Sequence, residues 1–163
     1  MNRRSLVPVA LVALSLATAA FATPNIPKWP PWLSIESPVN PYDPSAKDAL
    51  LLVHASFREG ASQLSDVTGS AEGLVNGGRR SIPLRFQSTD REGVYALRRQ
   101  WPAEGRWVLR IALRTTTAVV AIDPAGNVGS VQVPTTVNAN GDRVPRVVTS
   151  REVDSVLTAT MKR

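Results

Sequence analysis

Apolar and polar positions alternate with a period of two through most of this chain. Leu51, Val53, Ala55 and Phe57 alternate with Leu52, His54 and Ser56. Ile82, Leu84 and Phe86 alternate with Pro83, Arg85 and Gln87, and Tyr95 and Leu97 with Ala96 and Arg98. The clearest run sets Trp107, Leu109, Ile111 and Leu113 against Val108, Arg110, Ala112 and Arg114. Successive side chains of a strand point to opposite faces, so each run predicts a strand with one face in a core. The last run places its four large apolar residues inward and Arg110 and Arg114 in water. Val119–Ile122 and Val128–Val133 predict shorter strands.

The punctuation agrees with this reading. Asn76-Gly77 and Asn140-Gly141 are hairpin signals, because a type I′ turn needs positive φ at both central residues. Asp123-Pro124-Ala125-Gly126-Asn127 predicts a further tight connection. Ala71–Gly78 is glycine-rich but lacks the Lys-Ser/Thr of a phosphate loop, and it reads as a bent strand and turn. Eight or so short strands at this spacing predict an antiparallel sandwich or barrel. Only the end is helical in pattern. Thr149 with Glu152 three residues later makes a capping box, and Val153, Val156, Leu157, Thr160 and Met161 fall on one face.

The beginning of the chain differs from all of this. Arg3 and Arg4 form a basic start, Leu6–Phe21 is apolar, and Ala20-Phe21-Ala22 is an A-x-A-like cleavage site before Thr23. Residues 1–22 are therefore expected to be a secretory signal peptide. The apolar run contains Pro8 and is shorter than the roughly 20 residues of a spanning helix. A periplasmic or secreted product is expected, with no transmembrane span in the mature chain. Residues 24–44 then hold seven of the 13 prolines. Proline fixes φ and removes a donor, so 23–46 is expected to be an extended leader, with room for a short edge strand at Trp32–Glu36. Its Lys28-Trp29-Pro30-Pro31-Trp32 run suits either a polyproline ligand or a flap folded back onto the domain. The organisation that follows is a sandwich domain over 47–149 and a helix or tail over 150–163.

Composition narrows the chemistry. Cleavage leaves 141 of the 163 residues, enough for one domain with a real core. There is no cysteine, so thiolate nucleophiles, Cys-ligated zinc, iron–sulfur clusters and covalent haem are excluded, and no disulfide supports the fold. The formal charge of +6 falls to +4 without Arg3 and Arg4. On an exported protein a basic balance points away from nucleic acid and toward anionic lipid, an anionic cell-wall polymer or plain solvation.

No catalytic constellation stands out. His54 is the sole histidine, and the acids do not gather near it in sequence. The residues around Asn138–Asp142 place Thr136 and Val147 where an EF-hand needs carboxylates, so no calcium loop is expected. Neither a nucleophile elbow nor a Rossmann glycine pattern is present. No catalytic residue, metal ligand or cofactor is assigned. The candidate binding residues are Trp29, Trp32 and Trp101, whose rings would stack on a partner or a sugar, and the basic Arg98 and Arg110.

Gly93-Val94-Tyr95-Ala96-Leu97 followed by Pro102-Ala103-Glu104-Gly105-Arg106-Trp107-Val108-Leu109 resembles the closing strands of small exported immunoglobulin-like domains, the FixH/YtkA-like group. Gly93 and Tyr95 also resemble a tyrosine corner, in which the hydroxyl ties back to the backbone. The resemblance covers about residues 47–114 and implies an all-β, immunoglobulin-like antiparallel sandwich with an accessory, non-catalytic role. Relatives that handle copper use histidines and methionines. This chain offers His54 and, in its mature part, Met161, so copper is not carried over. Two readings follow: an exported non-enzymatic interaction module of the cell envelope, with another envelope protein or an anionic polymer as partner; or a carbohydrate or cell-wall binding domain or hydrolase, using exposed tryptophans and paired carboxylates.

Overall fold

A computed structural model describes residues 30–57 and 60–159. The expected signal peptide and Trp29 lie outside these residues, as do Thr160 and Met161. Twelve strands and one helix follow in order: β1 (Trp32–Glu36), β2 (Leu51–Phe57), β3 (Gly60–Ala61), β4 (Val67–Val75), β5 (Gly78–Pro83), β6 (Gln87–Ser88), β7 (Val94–Leu97), β8 (Arg106–Leu113), β9 (Thr116–Ile122), β10 (Val128–Gln132), β11 (Thr135–Val137), β12 (Arg143–Pro145) and α1 (Ser150–Ala159). Every pairing is antiparallel. The first sheet runs β1-β2-β7-β6, with β3 also on β2; the second runs β10-β9-β8-β4-β5; β11 and β12 form a separate hairpin. The fold is thus an all-β antiparallel sandwich with a short C-terminal helix. Its strands begin inside the proline-rich stretch, where β1 is an edge of the first sheet.

The alternation read from sequence sets the core. Leu51, Val53, Ala55, Tyr95 and Leu97 of the first sheet meet Ala71, Trp107, Leu109, Ile111, Leu113, Ala118 and Val120 of the second, all buried. Trp107 fits because Gly73 stands directly opposite it across the β4–β8 ladder. A Cβ on Gly73 would lie 2.4 Å from the indole ring. The indole N–H donates to the Glu104 carbonyl at 3.0 Å. Gly69 makes similar room for Leu84 and Phe86. These two belong to the crossover from β5 to β6 and close that side of the sandwich. The alternation at 82–86 predicted a continuing strand; instead β5 ends at Pro83, and the chain leaves the ladder after the Leu84 amide donates to the Gly69 carbonyl at 2.9 Å.

Both outer faces are partly covered. On the first sheet, Val39, Ala46 and Ala49 pack over Leu52, Val94 and Ala96. On the second, Val153 and Leu157 of α1 pack on Val108 and Val119, with Leu74 and Val156 beside them. Burying such a side chain stabilises by about 1.5–3 kcal/mol, so these contacts rather than helix propensity hold so short a helix. Its capping box forms as read: the Thr149 amide donates to the Glu152 carboxylate at 2.9 Å. Asn76 and Gly77 take φ of 51° and 76° in the β4–β5 turn, as the hairpin signal requires. Asn140-Gly141 instead sits in a wider loop over 138–142, where the Asn138 carboxamide accepts from the Asn140 and Asp142 amides. Sequence alone did not announce the β8–β9 turn, where Arg114 takes φ of 50°.

Candidate interaction surface

The sandwich carries the four described candidate residues to four separate places. Trp32 lies on the edge strand β1, on the outward side of the first sheet, and is 68% exposed. Trp101 is 4% exposed and belongs to the main core, so its ring presents no stacking face. Arg98 follows β7 near the opposite edge of the same sheet. Its guanidinium donates to the Lys47 carbonyl at 2.9 and 3.2 Å and to the Gln87 side chain. Those bonds pin the β1–β2 connection, a strap of residues 37–50 over the outer face, to the end of β7. Arg110 lies on the outer face of the second sheet, as its phase predicts, but it is half-buried rather than in open water. Its cross-strand partner Val119 and the nearby Val108 carry α1. The helix therefore narrows the solvent around it, and the Arg110 Nε is buried without a hydrogen-bond partner.

The polar cluster that does form was not singled out from sequence. On the outer face of the first sheet, His54 Nε2 lies 2.7 Å from a Glu36 oxygen. Arg91 lies 3.7 Å from Glu36 and 3.3 Å from Asp43. Asp43 also accepts from the Ser45 amide at 3.0 Å and the Ser45 hydroxyl at 2.7 Å. The Ser45 hydroxyl bond, with help from Arg91, holds the Asp43 carboxyl below its ordinary pKa. The signal was present in the alternation: Ser34 stands opposite His54 across the β1–β2 ladder, which puts Glu36 on the histidine's face. What sequence lacked was the pairing of β1 with β2 and the return of residues 91 and 43 to that face. The cluster ties strap, edge strand and turn together. Arg91 takes the position between the carboxylates that a cation would need, and among the described residues no three His, Asp or Glu side chains converge as metal ligands.

Other carboxylates are similarly engaged. Burial raises the pKa of Glu72, but hydrogen bonds from the Ser70 and Ser81 hydroxyls and the charge of Arg79 outweigh it, leaving a net lowering. Glu152 is pulled down to about 2 by its bond to Arg146 and by the Thr149 amide and hydroxyl. Tyr95 does tie its hydroxyl to backbone, donating to the Ser62 carbonyl. The partner lies 33 residues earlier, so the tie spans two segments instead of closing a local corner.

Exposed large apolar side chains lie both on strands and in the connections, where Tyr42, Leu64 and Val147 are exposed. Val131 on β10 is 41% exposed and Val137 on β11 is 63% exposed, besides Trp32. A groove of about 590 Å³ runs along the end of the second sheet past Leu74, Arg106, Ala121 and Asp123. Among the described residues no helix is long and apolar enough to cross a membrane. No family model, curated protein or solved structure matches the chain.

Proposed function

We propose that this chain is an exported, non-enzymatic binding module of the cell envelope, built on an immunoglobulin-like variant of the sandwich and engaging another envelope protein through its strand edges. The observation that carries this reading is the engagement of its reactive side chains in structure. Trp101 and Trp107 fill the core, Arg98 clamps the strap, and Glu36, His54, Arg91 and Asp43 are bonded or paired with one another. Strand edges and their flanking apolar residues remain as open surface. The export half rests on the basic start, apolar run and A-x-A-like site of residues 1–22.

Intact-mass measurement on protein from the producing cell tests export, with an expected start near Thr23; full-length chain in the membrane fraction would refute it. In-cell cross-linking followed by mass spectrometry tests the module, with a defined envelope partner expected. A second reading, cell-wall carbohydrate binding, is favoured by the open ring of Trp32 alone. Co-sedimentation with purified peptidoglycan that is lost in Trp32→Ala would support that reading against the first.

A further inference from the structure

Resting on the reading as a protein-binding module, we infer that the free edge of β1 is the docking site, and that its occupant is a single extended, proline-free peptide segment of another protein. β1 ends the first sheet, and among the described residues no strand pairs with its outer side, leaving the backbone donors and acceptors on that side unpaired. The two sheets are out of step there. β1 packs over β9, whereas the second sheet continues one strand further to β10. The inner side of β10 therefore extends past β1 as a ledge. Val131 pairs with the core residue Val120, so it faces the space between the sheets, yet it is 41% exposed. Val128 on the same ledge already packs against the core. Among the described residues one strand position in the first sheet is empty, with an apolar floor at Val131 and the exposed Trp32 at its rim.

The geometry selects the occupant. Symmetric pairing of β1 with β1 of a second copy meets the same offset. Pairing β1 with β1 of another copy would extend one sheet, but each β10 would then run into the other copy's β9. The chain's own residues 23–31 carry four prolines, which lack the N–H groups a ladder needs. A lone strand from a partner meets neither obstacle. Its inward residues would be apolar where they lie on Val131, alternating with outward residues beside Trp32. The far edges of the two sheets suit this less: β5 presents Arg79, Arg80 and Pro83, and β6 has only two residues.

A random nine-residue peptide library displayed on phage, selected on the mature chain, tests the proposal. Enriched peptides should have proline-free centres with alternating apolar residues and should protect amides of 32–36 from hydrogen exchange. Val131→Lys places a charge on the floor of the site and should weaken the enriched peptides at least tenfold, while Val137→Lys on the separate hairpin should not. The amide protection is read on the wild type, so it stands even if Val131→Lys disturbs the fold. No enrichment, protection elsewhere, or equal binding to Val131→Lys would overturn the proposal. So would a dimer in sedimentation that Val131→Lys abolishes, because a second copy would then occupy the edge. A cross-linked partner retained by Val131→Lys would sink this edge and leave the module reading intact; absence of any partner for the wild type would sink the module reading itself.

Discussion

At the scale of single residues, the contact between Gly73 and Trp107 is the tightest constraint in the core. The indole occupies the space a Cβ would take, 2.4 Å from its ideal position. Gly73→Ala must therefore displace backbone or ring, and overpacking of this kind costs about 1–3 kcal/mol. Urea denaturation should show a lowered midpoint with an unchanged slope. Leu109 and Arg110 offer the complementary comparison on one strand. Leu109 is fully buried between the sheets, so Leu109→Ala should cost about 2–5 kcal/mol through the cavity it leaves. Arg110 is half-buried with a buried Nε that has no partner, so Arg110→Ala loses only the packing of its aliphatic stem and should cost clearly less than Leu109→Ala. Equal effects from the two variants would mean the strand's phase is misread. The Trp107 alternation and the Asn76-Gly77 turn were legible in sequence because both are local. The half-burial of Arg110 was not, since a helix some forty residues later causes it.

At the scale of elements, the docking of α1 is sensitive to acid. Glu152 joins the capping box to Arg146, and its pKa is lowered to about 2 from an ordinary 4.5. A carboxylate lowered on folding stabilises fully above its unfolded pKa, and that contribution is lost as pH falls through the folded value. Wild-type Tm should therefore drop between about pH 4.5 and 2, and Glu152→Gln should flatten the drop in that window. Asp43 and Glu72 are lowered too, so the variant should keep a residual slope. Identical pH profiles for wild type and variant would show that the cap contributes nothing. The start of the sandwich has its own clasp: the buried Thr116 hydroxyl donates to the Pro31 carbonyl at 2.7 Å, joining the beginning of β9 to the residue before β1. Thr116→Val removes that donor and leaves a buried carbonyl unpaired, at a cost of about 1–3 kcal/mol. Hydrogen exchange at 32–36 should rise in that variant, reporting a looser edge strand.

At the scale of the whole molecule, the arrangement is two five-stranded sheets, offset at the β1 edge, with covers on both outer faces. With the strap over the first sheet and the helix over the second, the offset at β1 and β10 is a place where, among the described residues, apolar surface meets an unfilled strand position. Metal chemistry belongs to this scale as well, because binding sites draw ligands from the entire chain. With one histidine, no cysteine, and Arg91 set between Glu36 and Asp43, titration with Cu(II) or Zn(II) at neutral pH should show no sub-micromolar site. Tight binding lost in His54→Ala would reverse that expectation and make His54 the ligand.

The sequence by itself determined the strand faces, the main turns and the capped terminal helix, because each follows from a spacing of a few residues: period two, an Asn-Gly pair, a Thr and a Glu three apart. It also determined which chemistry is absent, through the lack of cysteine and the single histidine. Only the tertiary structure decided which strands become neighbours. That choice took Trp101 into the core, set Arg98 against the strap, and gathered Glu36, His54, Arg91 and Asp43 on one face. It also left the second sheet one strand wider than the first beside β1. The physical reason is one of range. Periodicity and capping are written in adjacent residues, whereas the edges of a sandwich are fixed by ladders between strands far apart in the chain and by what covers them.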